Sequence, residues 1–202
     1  MDNSHENLLE NLKRDIAFTA GNYGQMHDRL LLRDRVSRIA IVYYSIVAII
    51  YTLFSAYFTV NHKDGLDFFS ICVSIVSLVA SLMISFAKYP ERVLKAMKAL
   101  DNMKRLKKEL AKYSCADLYA EEYKLYDDFI NRYHTIVDEV ELRAEIDYYR
   151  TCKCLKKKEE HADGWQKLSF FQKTLAYLAR PIEYLCYLLL FLAPFIPVPF
   201  VL

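Results

Sequence analysis

Two charge-free runs, Ile39–Val60 and Phe68–Ala87, stand only seven residues apart, and they dominate what this chain can fold into. The first run has 22 residues and the second 20. As helix, about 20 apolar residues at a rise of about 1.5 Å cross a hydrocarbon core roughly 30 Å thick. The link Asn61–Asp67, with Gly65 as its turn signal, is so short that the two arms must be antiparallel neighbours. The pattern predicts a transmembrane hairpin. It begins too far into the chain, and runs too long, to be a cleaved leader.

The second arm carries serine at a fixed phase. Ser70, Ser74, Ser77, Ser81 and Ser85 fall within a strip about 80° wide at about 100° per residue. Phe69, Val73, Val76, Val79, Leu82, Met83 and Phe86 occupy the other sides. The first arm repeats the pattern more faintly with Ser45, Ala48, Thr52, Ser55 and Thr59. Two readings are open at this point. Small residues let membrane helices approach closely and exchange weak hydrogen bonds. Alternatively, several copies of the hairpin line an aqueous path with hydroxyl groups.

Outside the hairpin the chain is of a different kind. Hydrophobic residues make up 54% of the whole, yet charged ones still make up 26%, which fits a membrane piece joined to a charged helical piece. Only four glycines and five prolines occur, three of those prolines within the last nine residues, so the rest is poor in helix breakers. The fold expected is all-α: a two-helix transmembrane hairpin, a cytoplasmic helical bundle and a hydrophobic C-terminal tail. The net charge of +2 is too small to suggest nucleic-acid binding.

Orientation follows from the basic residues. Arg29, Arg33, Arg35 and Arg38 precede the first span, and Lys88, Arg92, Lys95 and Lys98 follow the second, whereas the turn holds Lys63 alone. The positive-inside bias places both ends of the hairpin in the cytoplasm, with Arg33, Arg35, Arg38, Lys88 and Arg92 as a membrane collar. The expected segments are 1–38, an N-terminal cytoplasmic helical region; 39–87, the hairpin, with spans 39–60 and 68–87; 88–163, a cytoplasmic helical hairpin; and 164–202, an amphipathic helix with an apolar, proline-rich tail.

Within 1–38, Leu8, Leu9, Leu12 and Ile16 mark an apolar face, and Gly21 and Gly24 loosen the middle. Past Pro90, a stripe of Leu94, Met97, Leu100, Met103, Leu106 and Leu110 makes an amphipathic helix that needs a partner. Ser114 reads as a cap for the next helix, whose stripe is Tyr119, Tyr123, Tyr126, Ile130, Tyr133, Val137 and Val140. Its tyrosines read as a cytoplasmic helix interface with phenols at the wet edge.

No catalytic constellation emerges. Asp138, Glu139, Glu141, Glu145 and Asp147 are dense but alternate around the helix, as a solvated face does. The five cysteines, Cys72, Cys115, Cys152, Cys154 and Cys186, form no disulfide framework, and Cys152-Lys-Cys154 lacks the second pair of a zinc site. The reading is a non-enzyme with no metal and no cofactor. His161–Gly164 is the expected break before the last segment. There Tyr184–Leu202 is free of charge over 19 residues, but Pro194, Pro197 and Pro199 leave only about ten helical residues. The tail is expected to be partly inserted or packed on the spans, with a third span left open.

These residues resemble a known family. Tyr23–Arg38 resembles the arginine-rich lead-in of SLATT-domain proteins, and Ser77–Leu82, followed by Tyr89, Arg92, Ala96, Leu100, Met103 and Leu106, is similar to that family's second span and the helix leaving it. Tyr126, Ile130 and Tyr133 with Asp147-Tyr148 resemble its closing helix. The likeness covers residues 20–150; the apolar tail goes beyond a minimal two-span plan. It implies a membrane effector of a bacterial antiphage, abortive-infection system that oligomerises into a pore in the inner membrane. The partners implied are lipid, sister copies, and a sensor such as a nucleotide-signal synthase, a nucleotide-sensing domain or a reverse transcriptase. The competing reading is a membrane anchor that presents a cytoplasmic interaction module.

Overall fold

The computed structural model of the chain describes residues 3–57, 63–112, 122–140, 144–157 and 166–195. Among them the secondary structure is entirely helical: α1 (Asn3–Tyr57), α2 (Lys63–Ala87), α3 (Tyr89–Leu110), α4 (Glu122–Asp138), α5 (Glu145–Lys157) and α6 (Phe170–Leu192), which closes in a 3-10 turn at Ala193–Phe195. Contacts divide the chain into two compact units. One comprises Met1–Leu30 and Glu91–Tyr177, the other Leu31–Pro90 and Leu178–Leu202.

In the first unit, α1 buries Leu12, Ile16, Thr19, Tyr23, Met26 and Leu30. The steps alternate four and three, which keeps one face of the helix turned to its neighbours. Helix α3 buries Ala96, Ala99, Met103, Leu106 and Leu110 at the same spacing. This corrects the expected stripe, because Leu94 and Met97 are about half exposed. A seven-residue step back from Met103 and Leu106 lands on Ala96 and Ala99. Small side chains there admit a close neighbour, and the larger ones are left outside.

Helix α4 buries Phe129, which the tyrosine pattern did not pick out. Tyr126 and Tyr133 are half-buried, and the Tyr133 hydroxyl meets Thr19 Oγ1 at 3.0 Å, tying α4 to α1. Arg132 donates to Glu109 at 2.7 Å, tying α4 to α3. The side chains of Tyr119 and Tyr123 lie outside the described residues, as do Ser114 and the break at His161–Gly164.

Helix α5 crosses α1 at Gly21. A Cβ added at Gly21 would stand 2.8 Å from Thr151 Cγ2, closer than two carbons can sit, whereas at Gly24 nothing lies within 4 Å. Gly21 is therefore a contact point between helices, while Gly24 faces open space. α1 runs through both glycines unbroken. The pair makes a clean prediction. Gly24→Ala removes a helix-interior glycine and should stabilise by roughly 0.5–1 kcal/mol. Gly21→Ala gains the same propensity but must displace a β-branched side chain, an overpacking that costs about 1–3 kcal/mol. Thermal unfolding should show opposite signs, and Gly21→Ala should turn stabilising once Thr151→Ser removes the obstructing methyl.

Tyr149, Cys152, Leu168 and Ala176 form a buried cluster, with Phe18 and Ile146 packed against it. The start of α6 is set by a reciprocal cap: Ser169 N–H donates to Gln172 Oε1 at 2.9 Å, and Gln172 N–H donates to Ser169 Oγ at 3.3 Å. That satisfies two of the backbone donors a helix start leaves bare. Lys153 Nζ lies 3.7 Å from the Tyr177 ring centroid.

In the second unit, α1 touches both α2 and α6. Against α2, Thr52 Oγ1 and Ser70 Oγ are 2.7 Å apart, and the Tyr51 and Phe69 rings meet edge to face at 5.3 Å. Helix α6 runs parallel to α1, with Arg33 beside Glu183, Tyr43 beside Phe191 and Tyr51 beside Pro194. The α2 helix ends at Lys88, whose φ of 46° lies in the left-handed region usually left to glycine. Pro90 then sits in the first turn of α3, where its missing N–H has no partner to lose.

Residues 196–202 of the expected tail lie outside the described residues. Pro181 lies inside a single helix that runs to Leu192 and stops short of Pro194. A lone proline removes one hydrogen bond without stopping the helix. In consequence three helical stretches, Glu10–Phe54, Asp67–Leu110 and Phe170–Phe195, are long and apolar enough to cross a membrane.

Candidate functional site

The serine strip divides into two parts. Ser70 is buried, with its hydroxyl between Thr52 Oγ1 and the Ala48 carbonyl, so it is part of the contact between α1 and α2. Ser74, Ser81 and Ser85 are exposed and Ser77 is half-buried. Ser74 bonds back to the Ser70 carbonyl at 2.9 Å, the usual way for a serine in an apolar helix to satisfy its proton. Around them Ile71, Ile75, Val76, Leu78, Val79, Leu82, Met83 and Phe86 are exposed. A surface so apolar needs lipid or protein against it.

The end of α6 shows what the prolines require of the rest of the unit. In a helix the Leu190 carbonyl would accept from the N–H four residues on, but that residue is Pro194, which has none. Tyr44 Oη donates to Leu190 O at 2.7 Å, Tyr43 Oη to Phe191 O at 2.7 Å, and Tyr51 Oη to Pro194 O at 2.6 Å. Three phenols of α1 thus donate to carbonyls at the end of α6, among them the Leu190 carbonyl whose regular donor proline removes. In lipid such carbonyls find no other donor.

The basic collar residues have distinct environments. Arg33 pairs with Glu183 at 3.3 Å, and Arg38 pairs with Asp34 one turn back on α1. The Asp34 carboxylate raises the Arg38 guanidinium above its ordinary value, first by hydrogen bonding and then by charge. Arg35 is exposed and Arg92 half-buried, while Lys88 forms the corner between α2 and α3.

In the first unit the acidic run is not uniform. Asp138, Glu139 and Glu145 are exposed, and Glu141 lies outside the described residues. Asp147 is the exception: its side chain is fully buried, and Arg29, itself only 10% exposed, grips it with Nε and Nη2 at 3.0 and 2.8 Å. The same residue anchors Thr151, whose hydroxyl donates to the Asp147 carbonyl at 2.9 Å. A two-pronged guanidinium–carboxylate pair is the strongest polar link a side chain makes. Spacing along the sequence could not have paired residues 118 apart. Cys152 is buried while Cys154 is exposed, so the two thiols do not converge. Burial pushes the Cys152 thiol up, which keeps it protonated and inert.

No curated protein and no solved structure matches the chain. The model of one protein family matches residues 5–201, nearly its whole length. Long apolar helices, a charged helical unit and that match agree, and the chain belongs to the SMODS and SLOG-associating 2TM effector domain family 5.

Proposed function

We propose that this membrane effector acts by permeabilising the bacterial inner membrane during antiphage defence, as an oligomer whose copies line a pore with serine hydroxyls. The observation that carries the reading is the exposed remainder of the serine strip, Ser74, Ser81 and Ser85 with half-buried Ser77, on a helix otherwise covered by bare aliphatic side chains. Hydroxyls in that position are better placed against water or a sister copy than against lipid tails. A hairpin is too thin to enclose water alone, so the pore needs several copies. The basic collar sets the N-terminus in the cytoplasm, where a sensor (a nucleotide-signal synthase, a nucleotide-sensing domain or a reverse transcriptase) releases the closed assembly.

The test is dye entry and ion leakage in cells on induced expression. Ser77→Leu with Ser81→Leu should abolish leakage and toxicity while the amount of protein in the membrane stays the same. Leakage that persists in that variant removes the lining assignment. Function that survives exchange of α2 and its partner arm for an unrelated hairpin favours the anchor reading instead.

A further inference from the structure

A cavity of about 430 Å³ opens in the first unit between α1, α4 and the start of α5. At its floor lies Asn22, only 2% exposed, whose Oδ1 has no hydrogen-bond partner. Burying a bare amide oxygen is unfavourable unless something in the cavity donates to it. Asp15 and Glu145 line the same cavity and are both exposed. Glu145 Oε2 already accepts from the Tyr149 hydroxyl at 3.0 Å. Part of the remaining wall is aromatic, Phe18 and Tyr148 meeting edge to face at 5.3 Å. The hydroxyls of Thr19 and Tyr133 share one hydrogen bond across the wall. Among the described residues no lysine or arginine lines the space.

Among the described residues the chemistry is one-sided: a buried acceptor, two carboxylates and ring faces, with no lysine or arginine in the lining. An anion or a phosphate would meet repulsion here. A flat cation rich in N–H donors would meet the amide oxygen inside, carboxylates outside and rings beside it, where cation–π attraction adds to charge. We propose that this cavity is a binding site for a small organic cation of the guanidinium type. Asn22 is its inner acceptor, and Asp15 and Glu145 are its charge partners. The site does not depend on the pore reading, because binding is measured with no membrane leak in the assay.

The probes are butylguanidinium and butylurea, which share shape and differ in charge, titrated calorimetrically against the full chain in detergent micelles. Butylguanidinium should bind saturably, one per chain, at least about tenfold more tightly than butylurea, as expected when charge-assisted bonds are replaced by neutral ones. Asn22→Leu should weaken that binding by about tenfold or more while holding or raising the melting temperature, since it removes the bare buried acceptor. Asp15→Asn lies on the exposed rim, leaves the fold intact and should weaken binding as well. Equal affinity for the two probes overturns the cation assignment. Absence of saturable binding, or binding unchanged in both variants, overturns the site.

Discussion

Asp147→Ala is expected to make the first unit unfold under mildly denaturing conditions in which the parent chain stays folded. The carboxylate it removes is fully buried, and the guanidinium it abandons is 10% exposed, so water cannot take the carboxylate's place. Breaking a buried pair by deleting one partner typically destabilises by about 3–5 kcal/mol, because the surviving charge stays in a poor solvent. That is a large share of the roughly 5–15 kcal/mol by which a domain is stable. The loss falls one helical turn from Thr151, which contacts α1 at Gly21. Limited proteolysis of the protein in detergent should cleave the unit containing α3 and α5 early. Replacing both partners, Arg29→Met with Asp147→Leu, should recover most of the stability, since no charge is left stranded. If the single variant unfolds no more readily than the double, the pair contributes nothing beyond packing.

Loss of the three tyrosine caps is expected to have the next largest effect. Tyr44→Phe keeps the ring and removes the hydroxyl that donates to the Leu190 carbonyl. A buried polar group stripped of its partner costs about 1–3 kcal/mol, and in hydrocarbon the penalty runs higher. Tyr43→Phe and Tyr51→Phe act on the neighbouring carbonyls of Phe191 and Pro194. The triple variant should therefore lose several times what a surface substitution loses, read as a lower midpoint in denaturing-detergent titration. The decisive comparison is Tyr44→Phe in a Pro194→Ala background. Alanine restores an N–H within reach of the Leu190 and Phe191 carbonyls, so Tyr44→Phe should cost little there. An undiminished loss would show that the ring, and not its proton, holds α6 in place.

The features most legible from sequence were those written in adjacent residues. Two charge-free runs announced helices long and apolar enough to cross a membrane, and Leu12 and Ile16 marked the buried side of α1. The phase of α3 was harder, because Leu94 and Met97 outweigh Ala96 and Ala99 in any hydrophobic count although the alanines are the ones buried. Burial there rewards closeness of approach over size. The glycines illustrate a similar limit: composition suggests flexibility at both, but only Gly21 has a neighbour that requires its missing side chain. Asp147 looked like one more carboxylate on a wet face because its partner sits on a helix from the other end of the chain. The tyrosine caps were half visible. Proline at 194 implies orphaned carbonyls, but nothing near it in the sequence says that α1 supplies the protons.

The order in which the chain is made gives those caps a further meaning. Tyr43, Tyr44 and Tyr51 leave the ribosome some 143–148 residues before the carbonyls they serve. The donors are thus already waiting when the proline-rich stretch is translated, and the final helix can seat itself against a finished surface as it emerges. Assembly in the reverse sense would need bare acceptors to wait in oil. Only the phenols, each an apolar ring with a single polar tip, have to wait.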